Sequence, residues 1–254
     1  MTPEIALLLV AGGAFAGFVN TLAGGGSFLT VPLLVLAGLP ATDANATNRV
    51  GVLAASASAL WGFKREQVGG LQHTLPMILS VLAGSWLGAY AASVVSDALF
   101  ERAFGFVMLL ALPLLLRNPK PEGEGHRVGW AAQLLYFAVG FYGGAIQAGI
   151  GIPLLLVLVG VAGFDLVRAN HIKMALVGAL TIVALAQFIW AGKVWWAYGL
   201  ALAVGNSVGA QLAARWGSRV GPRLIRPVLV ACVVLLAARM ILGGGALAFG
   251  GSGA

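Results

Sequence analysis

Apolar residues run through this chain in blocks of about membrane thickness, and the polar residues gather between them. The blocks cover 5–38, 45–62, 74–95, 101–116, 128–163, 171–191, 195–214 and 224–242. A helix that crosses a bilayer needs about 20 apolar residues, so most blocks read as single spanning helices. Two blocks are broken. The first is interrupted at Gly24–Ser27, leaving arms of 5–22 and 28–38. The fifth is interrupted around Gly149 and Gly151, leaving arms of 128–148 and 152–163. Between the two runs of blocks lies 117–127, a polar stretch with two prolines that reads as a linker. The glycine-rich tail 243–254 reads as a frayed end.

The pattern before the linker restarts after it. A shift of about 121 residues takes Pro32 to Pro153. The same shift takes Gly84-Ser85-Trp86-Leu87-Gly88-Ala89 to Gly205-Asn206-Ser207-Val208-Gly209-Ala210, and a nearby one takes Ala44-Asn45 to Ala169-Asn170. Such a repeat divides the chain into a first transmembrane unit, 1–116, the linker, 117–127, and a second unit, 128–254. The expected fold is all-α and polytopic: two inverted repeats, each with a broken or re-entrant helix followed by three spanning helices. The third span of each unit carries glycines four apart, a face suited to close helix packing.

Composition agrees with a membrane protein. Of 254 residues, 60% are hydrophobic and 9% charged, against about 25% charged in a soluble domain. The formal charge of +7 does not imply nucleic acid, because the basic residues sit at span ends rather than in a separate arm. Cys232 is the single cysteine, so no disulfide framework, zinc knuckle or dithiol site is expected within one chain. The N-terminus has Glu4 and no basic region, and no removable signal peptide is expected. The basic residues also bear on topology. If each broken element crosses once, Lys and Arg divide seven against eight between the two sides; if each goes in and returns, the split is eleven against four. Cytoplasmic loops carry the Lys/Arg excess, so the second path is preferred. It puts 117–127 in the cytoplasm and both termini outside.

The glycine breaks are the first candidates for chemistry. Freed backbone groups in a bilayer need partners, so a break is tolerated only inside protein or beside a wet cavity. Breaks in corresponding places of two halves are a sequence pointer to a transporter's site. A helix restarting at such a break presents N–H groups that attract an anion. The residues at the first break are Asn20, Thr21, Gly24, Gly25, Gly26 and Ser27; those at the second are Gln147, Gly149 and Gly151. Just after each break stand polar or cationic residues: Asn48 and Arg49 in one unit, His171 and Lys173 in the other. A charge inside a membrane is costly and is by default a functional candidate. The plainer alternative is that these cations are interfacial anchors reaching for water. The glycines likewise have a plain reading, as sites of tight packing. No acidic residue falls mid-span. A proton-coupled cation pump needs intramembrane carboxylates, so an anionic or neutral substrate is favoured. No zinc, phosphate-loop or dinucleotide signature is present, and no catalytic residue, metal or cofactor is expected.

These residues resemble the TauE/SafE family of sulfite and organosulfonate exporters, also called the 4-toluene sulfonate uptake permease family. The resemblance rests on Gly17, Gly24-Gly25-Gly26-Ser27, Pro32 and Ala44-Asn45-Ala46-Thr47-Asn48, repeated as Gly140 to Pro153 and Ala169-Asn170. It covers essentially the whole chain. The second copy departs where Gln147 and Ala148 replace the glycine run. The resemblance implies a multi-pass carrier of a bacterial inner membrane, exporting small sulfur-containing anions such as sulfite, thiosulfate or sulfonates by alternating access. The competing readings are a passive anion channel, a carrier of another small organic anion and, further off, an intramembrane enzyme. A coupling ion, proton or sodium, and a homo-oligomer are compatible with the carrier reading.

Overall fold

The computed structural model describes residues 1–23, 25–65, 75–116, 130–216 and 222–242, and among these every regular element is helical. Gly24, the 117–127 linker and the 243–254 tail lie outside the described residues. The helices are α1 (Pro3–Ala23), α2 (Ser27–Leu36), α3 (Ala41–Arg65), α4 (Leu75–Val94) and α5 (Asp97–Leu116). They are followed by α6 (Trp130–Ala145), α7 (Gly151–Leu155), α8 (Leu166–Trp190), α9 (Trp196–Trp216) and α10 (Pro222–Leu242). A π-helical segment, Leu156–Val161, continues α7. Helices suit this composition because each backbone group finds its partner within the segment, as lipid requires.

Helix ends follow local chemistry. Asp165 caps α8, its carboxylate accepting from Val167 N (3.1 Å) and Arg168 N (3.0 Å). Gly192 ends the same helix at φ +70°, a left-handed turn that costs a glycine little. Helices Pro3–Leu22, Met77–Val94 and Leu166–Trp190 are long and apolar enough to cross a membrane, whereas Ser27–Leu36 and Gly151–Val161 are too short.

Polarity is distributed inside out. Leu79, Leu110, Trp190 and Leu235 stand largely exposed, while Asn45, Thr47, Asn48, Arg49, Ser85 and Thr181 are fully buried. A lipid-facing exterior explains the first group, and hydrogen bonding in the interior has to explain the second.

Glycine contacts fix how the helices run. A methyl group on Gly13 or Gly17 of α1 would press on Leu202 or Asn206 of α9; one on Gly205 or Gly209 would strike Val10 or Ala14. The contacts advance together, so α1 and α9 are parallel and backbone to backbone. Gly84 and Gly88 of α4 meet Phe137 and Phe141 of α6 in the same manner, with Gly140 and Gly144 against Val81 and Ser85. The glycine-bearing helices α9 and α4 thus pack on α1 and α6, the helices that precede the two breaks. Helix α3 also runs parallel to α9, Gly199 lying against Val50 and Gly62 against Ala214. Since α1 and α3 share a direction, the chain must turn back between them. Helix α2 makes the return: Gly12 of α1 faces Leu33, while Gly26 faces Ala16.

Candidate functional site

At the first break, Gly26 packs so closely on Ala16 and Asn20 that a side chain would strike the Ala16 carbonyl. Gly26 occupies the capping position of α2 and brings no side-chain oxygen to its first turn. Asn48 of α3 holds that turn from the side. Its amide N–H donates to Ser27 Oγ at 3.1 Å, and its carbonyl oxygen accepts from Thr30 Oγ1 at 2.5 Å. Thr21 closes its own helix by donating to the Gly17 carbonyl at 3.0 Å. Asn20, Thr21, Gly25, Gly26 and Ser27 are all buried.

The second break is sharper. Gln147 adopts φ +61°, a left-handed conformation costly for a side chain with a Cβ, and Gly149 follows at φ +69°. The Tyr142 hydroxyl crosses the break to donate to the Ala148 carbonyl. Gln147 Nε2 donates to Thr181 Oγ1 of α8 at 2.6 Å, while its buried Oε1 has no protein partner. The two breaks touch, for a methyl on Gly149 would enter the ring of Phe28.

The cations are neither at the surface nor near it: Arg49 is 0% and Lys173 1% exposed. Each reaches a helix that ends at a break, Arg49 to α6 and Lys173 to α1. Arg49 Nη1 donates to the Gly143 carbonyl at 3.0 Å, and Nη2 donates to the Gly144 carbonyl. Asn45, one turn earlier on the same face of α3, donates to the next carbonyl, Ala145, at 2.9 Å. The last three carbonyls of α6 are thereby taken up by α3. Lys173 Nζ of α8 donates to the Thr21 carbonyl near the end of α1, at 3.2 Å. A helix C-terminus exposes unpaired carbonyls and about half a negative charge, which is why a cation is accommodated there without a carboxylate. The Arg49 guanidinium also lies over the Phe188 ring, 4.9 Å from its centre, and its Nε has no partner. Among the described residues, the ion pairs are Arg168–Asp165 and Lys193–Asp43, and neither involves a buried cation.

The structure thus brings Ser27 to Asn48, Lys173 to Thr21, and Arg49 to the end of α6. Gly151 starts α7, and His171 is buried on α8. Sequence reasoning passed over Thr30, Asn45, Tyr142, Phe188 and Thr181 as site residues. Asn45 was within reach of it, being four residues before Arg49; the others were not, because their partners lie in distant segments. A cavity of about 290 Å³ beside the second break, between Val107, Leu110, Tyr142 and Ile152, has an apolar wall and lacks the donors an anion needs.

A family model described as sulfite exporter TauE/SafE matches residues 9–240. The chain is 33% identical over 243 residues to a Sinorhizobium protein named probable membrane transporter protein ORF9, covering 93% of this chain and 92% of that one. It is 32% identical to the Escherichia coli probable membrane transporter protein YfcA, covering 89% and 86%. A Haemophilus influenzae probable membrane transporter protein is 27% identical, covering 94% and 95%. No solved structure matches the chain.

Proposed function

The chain belongs to the sulfite exporter TauE/SafE family, and we propose that it is a secondary carrier exporting a small sulfur-containing anion, such as sulfite, thiosulfate or an organosulfonate, by alternating access. Membership of the family makes it a membrane transporter. The observation that supports an anionic substrate is the balance of interior charge. Arg49 and Lys173 are buried, and no Asp or Glu among the described residues is. The carbonyls they bind carry only partial charge, so the interior keeps a positive surplus that an anion would neutralise. Donors suited to an oxyanion lie around it. They are the unpartnered Nε of Arg49, the backbone amides of Gly25, Gly26 and Ser27 where α2 begins, and the side chains of Asn20, Asn48 and Gln147.

In this reading the two units, 1–116 and 128–254, are inverted repeats. Their support is the exchange of partners, α1 on α9 and α6 on α4, and the return of α2 along α1. The charge count then places the 117–127 linker in the cytoplasm of a bacterial cell whose inner membrane the chain crosses several times. Movement of one repeat against the other would expose the contact between the breaks to each side in turn.

A thermal-shift screen of the purified protein tests the substrate class, because a ligand stabilises according to its occupancy. Sulfite, thiosulfate or a sulfonate should raise Tm, and simple carboxylates should not. Stabilisation by none of the sulfur anions would remove them as substrates.

A further inference from the structure

A polar cluster outside the candidate site joins the two units where α3 begins and α8 ends. Lys193 lies in the short connection after α8. Its ammonium donates to Thr42 Oγ1 at 2.8 Å and lies 3.5 Å from Asp43 Oδ1. The Trp195 indole donates to the other Asp43 oxygen at 2.9 Å, and its backbone N–H donates to Thr47 Oγ1 at 3.0 Å. Thr42 passes the connection on, donating through N and Oγ1 to Asp97 Oδ1 at 2.9 and 2.7 Å.

A second tier lies beneath. Arg49 is two helical turns below Thr42 on α3, about 10 Å deeper, and its guanidinium covers the Phe188 ring of α8. The Phe188 carbonyl in turn accepts from the Lys193 backbone N–H at 3.0 Å. One end of α8 therefore holds both tiers, one against Asp43 and one against Arg49. The opposite end of α8 differs. There Asp165 pairs with Arg168 of its own helix, both side chains are more than half exposed, and among the described residues no ion pair joins the units.

We infer that Asp43, Lys193 and Trp195 form the outer tier, and Arg49 with Phe188 the inner tier, of a gate that is closed on this face. This rests on the carrier reading, since a gate needs a path to close. The groups suit the task. The outer pair is partly exposed, with side-chain exposures of 17% for Asp43 and 24% for Lys193, and such a pair is weak enough to break in a transport cycle. Opening it would draw α8 from α3 and uncover Arg49.

The test reads the gate directly and separately from flux. Ser56 lies two turns below Arg49, is 1% exposed, and its Oγ has no partner. A Ser56→Cys reporter, in a Cys232→Ala background, is treated with a membrane-impermeant maleimide in right-side-out and in inside-out vesicles. Asp43→Asn and Lys193→Gln should each speed labelling about fivefold from one vesicle orientation only, a shift that a part-exposed pair can supply. The exchanged pair Asp43→Lys with Lys193→Asp should return the rate toward that of the parent. Unchanged labelling, or an equal rise in both orientations, would overturn the gate. Absence of sulfite flux alongside a one-sided rise would count against sulfite as the substrate and leave the gate standing.

Discussion

Replacing Arg49 with Gln separates the two tasks assigned to that side chain. As a cap, Arg49 makes two charge-assisted hydrogen bonds to the Gly143 and Gly144 carbonyls, each worth about 1.5–3 kcal/mol. Against this stands the cost of a cation at membrane depth, about 2.5–3.5 kcal/mol on insertion scales. Two such bonds total about 3–6 kcal/mol, so the cap stays ahead by about 1.5 kcal/mol at mid-range. A glutamine amide still donates hydrogen bonds but carries no charge, so stability in the absence of ligand should fall by no more than about 2 kcal/mol. Anion affinity should fall further, because removing one partner of a buried charge pair costs about 2–5 kcal/mol, or at least about thirtyfold in Kd. The assay is a thermal melt with and without the anion. At a hundredfold excess over Kd, ligand adds about 2.7 kcal/mol of stability, and at a concentration equal to Kd only about 0.4 kcal/mol. A rise of about thirtyfold in Kd leaves about 0.9 kcal/mol at that sulfite concentration, so the wild-type shift should fall to about a third or less in Arg49→Gln. Arg49→Lys should retain more of it, since a point charge survives although the planar fork is lost. A full sulfite shift in Arg49→Gln would take Arg49 out of the anion site and leave it as a helix cap alone.

The remaining predictions concern the breaks. Gly144→Ala should weaken folding by about 1–3 kcal/mol, because the new methyl would strike the Ser85 carbonyl and push α6 from α4; an unchanged melting temperature would contradict the packing described. Asn48→Ala removes both bonds to the first turn of α2 and should cost about 1–3 kcal/mol, measured by the ligand-free melt. Gln147→Gly relieves a left-handed backbone worth about 1–2 kcal/mol but loses the bond to Thr181. Its stability should stay within about 1 kcal/mol of the parent, while initial-rate transport assays should show weaker substrate binding.

Much of the helical framework was legible in the apolar pattern, because a bilayer dictates both length and hydrophobicity. The arms read as 5–22 and 28–38 are Pro3–Ala23 and Ser27–Leu36, and the block 171–191 is Leu166–Trp190. Ends differ where polar residues extend a helix past the apolar run, as Asp165 does by capping α8. The glycine spacing in α4 and α9 foretold close packing but not the partners, α6 and α1, which are distant in sequence. Arg49 and Lys173 stand out in the sequence as candidates, yet their depth does not. Both lie within two or three turns of a helix start, where a long side chain usually escapes to water. What holds them inward is a set of carbonyls in remote segments, Gly143 and Gly144 for one and Thr21 for the other. A sequence pattern does not display backbone oxygens left open by a helix ending elsewhere.

Counterflow of radiolabelled sulfite into proteoliposomes asks whether the buried cations serve an anion that is carried. The wild-type protein should give saturable uptake that is stimulated by sulfite on the far side, and Lys173→Gln, still folded by its melt, should lose it. Equal uptake by the wild type and by a folded variant lacking both the Arg49 and Lys173 charges would contradict the assignment of those buried cations to the anion.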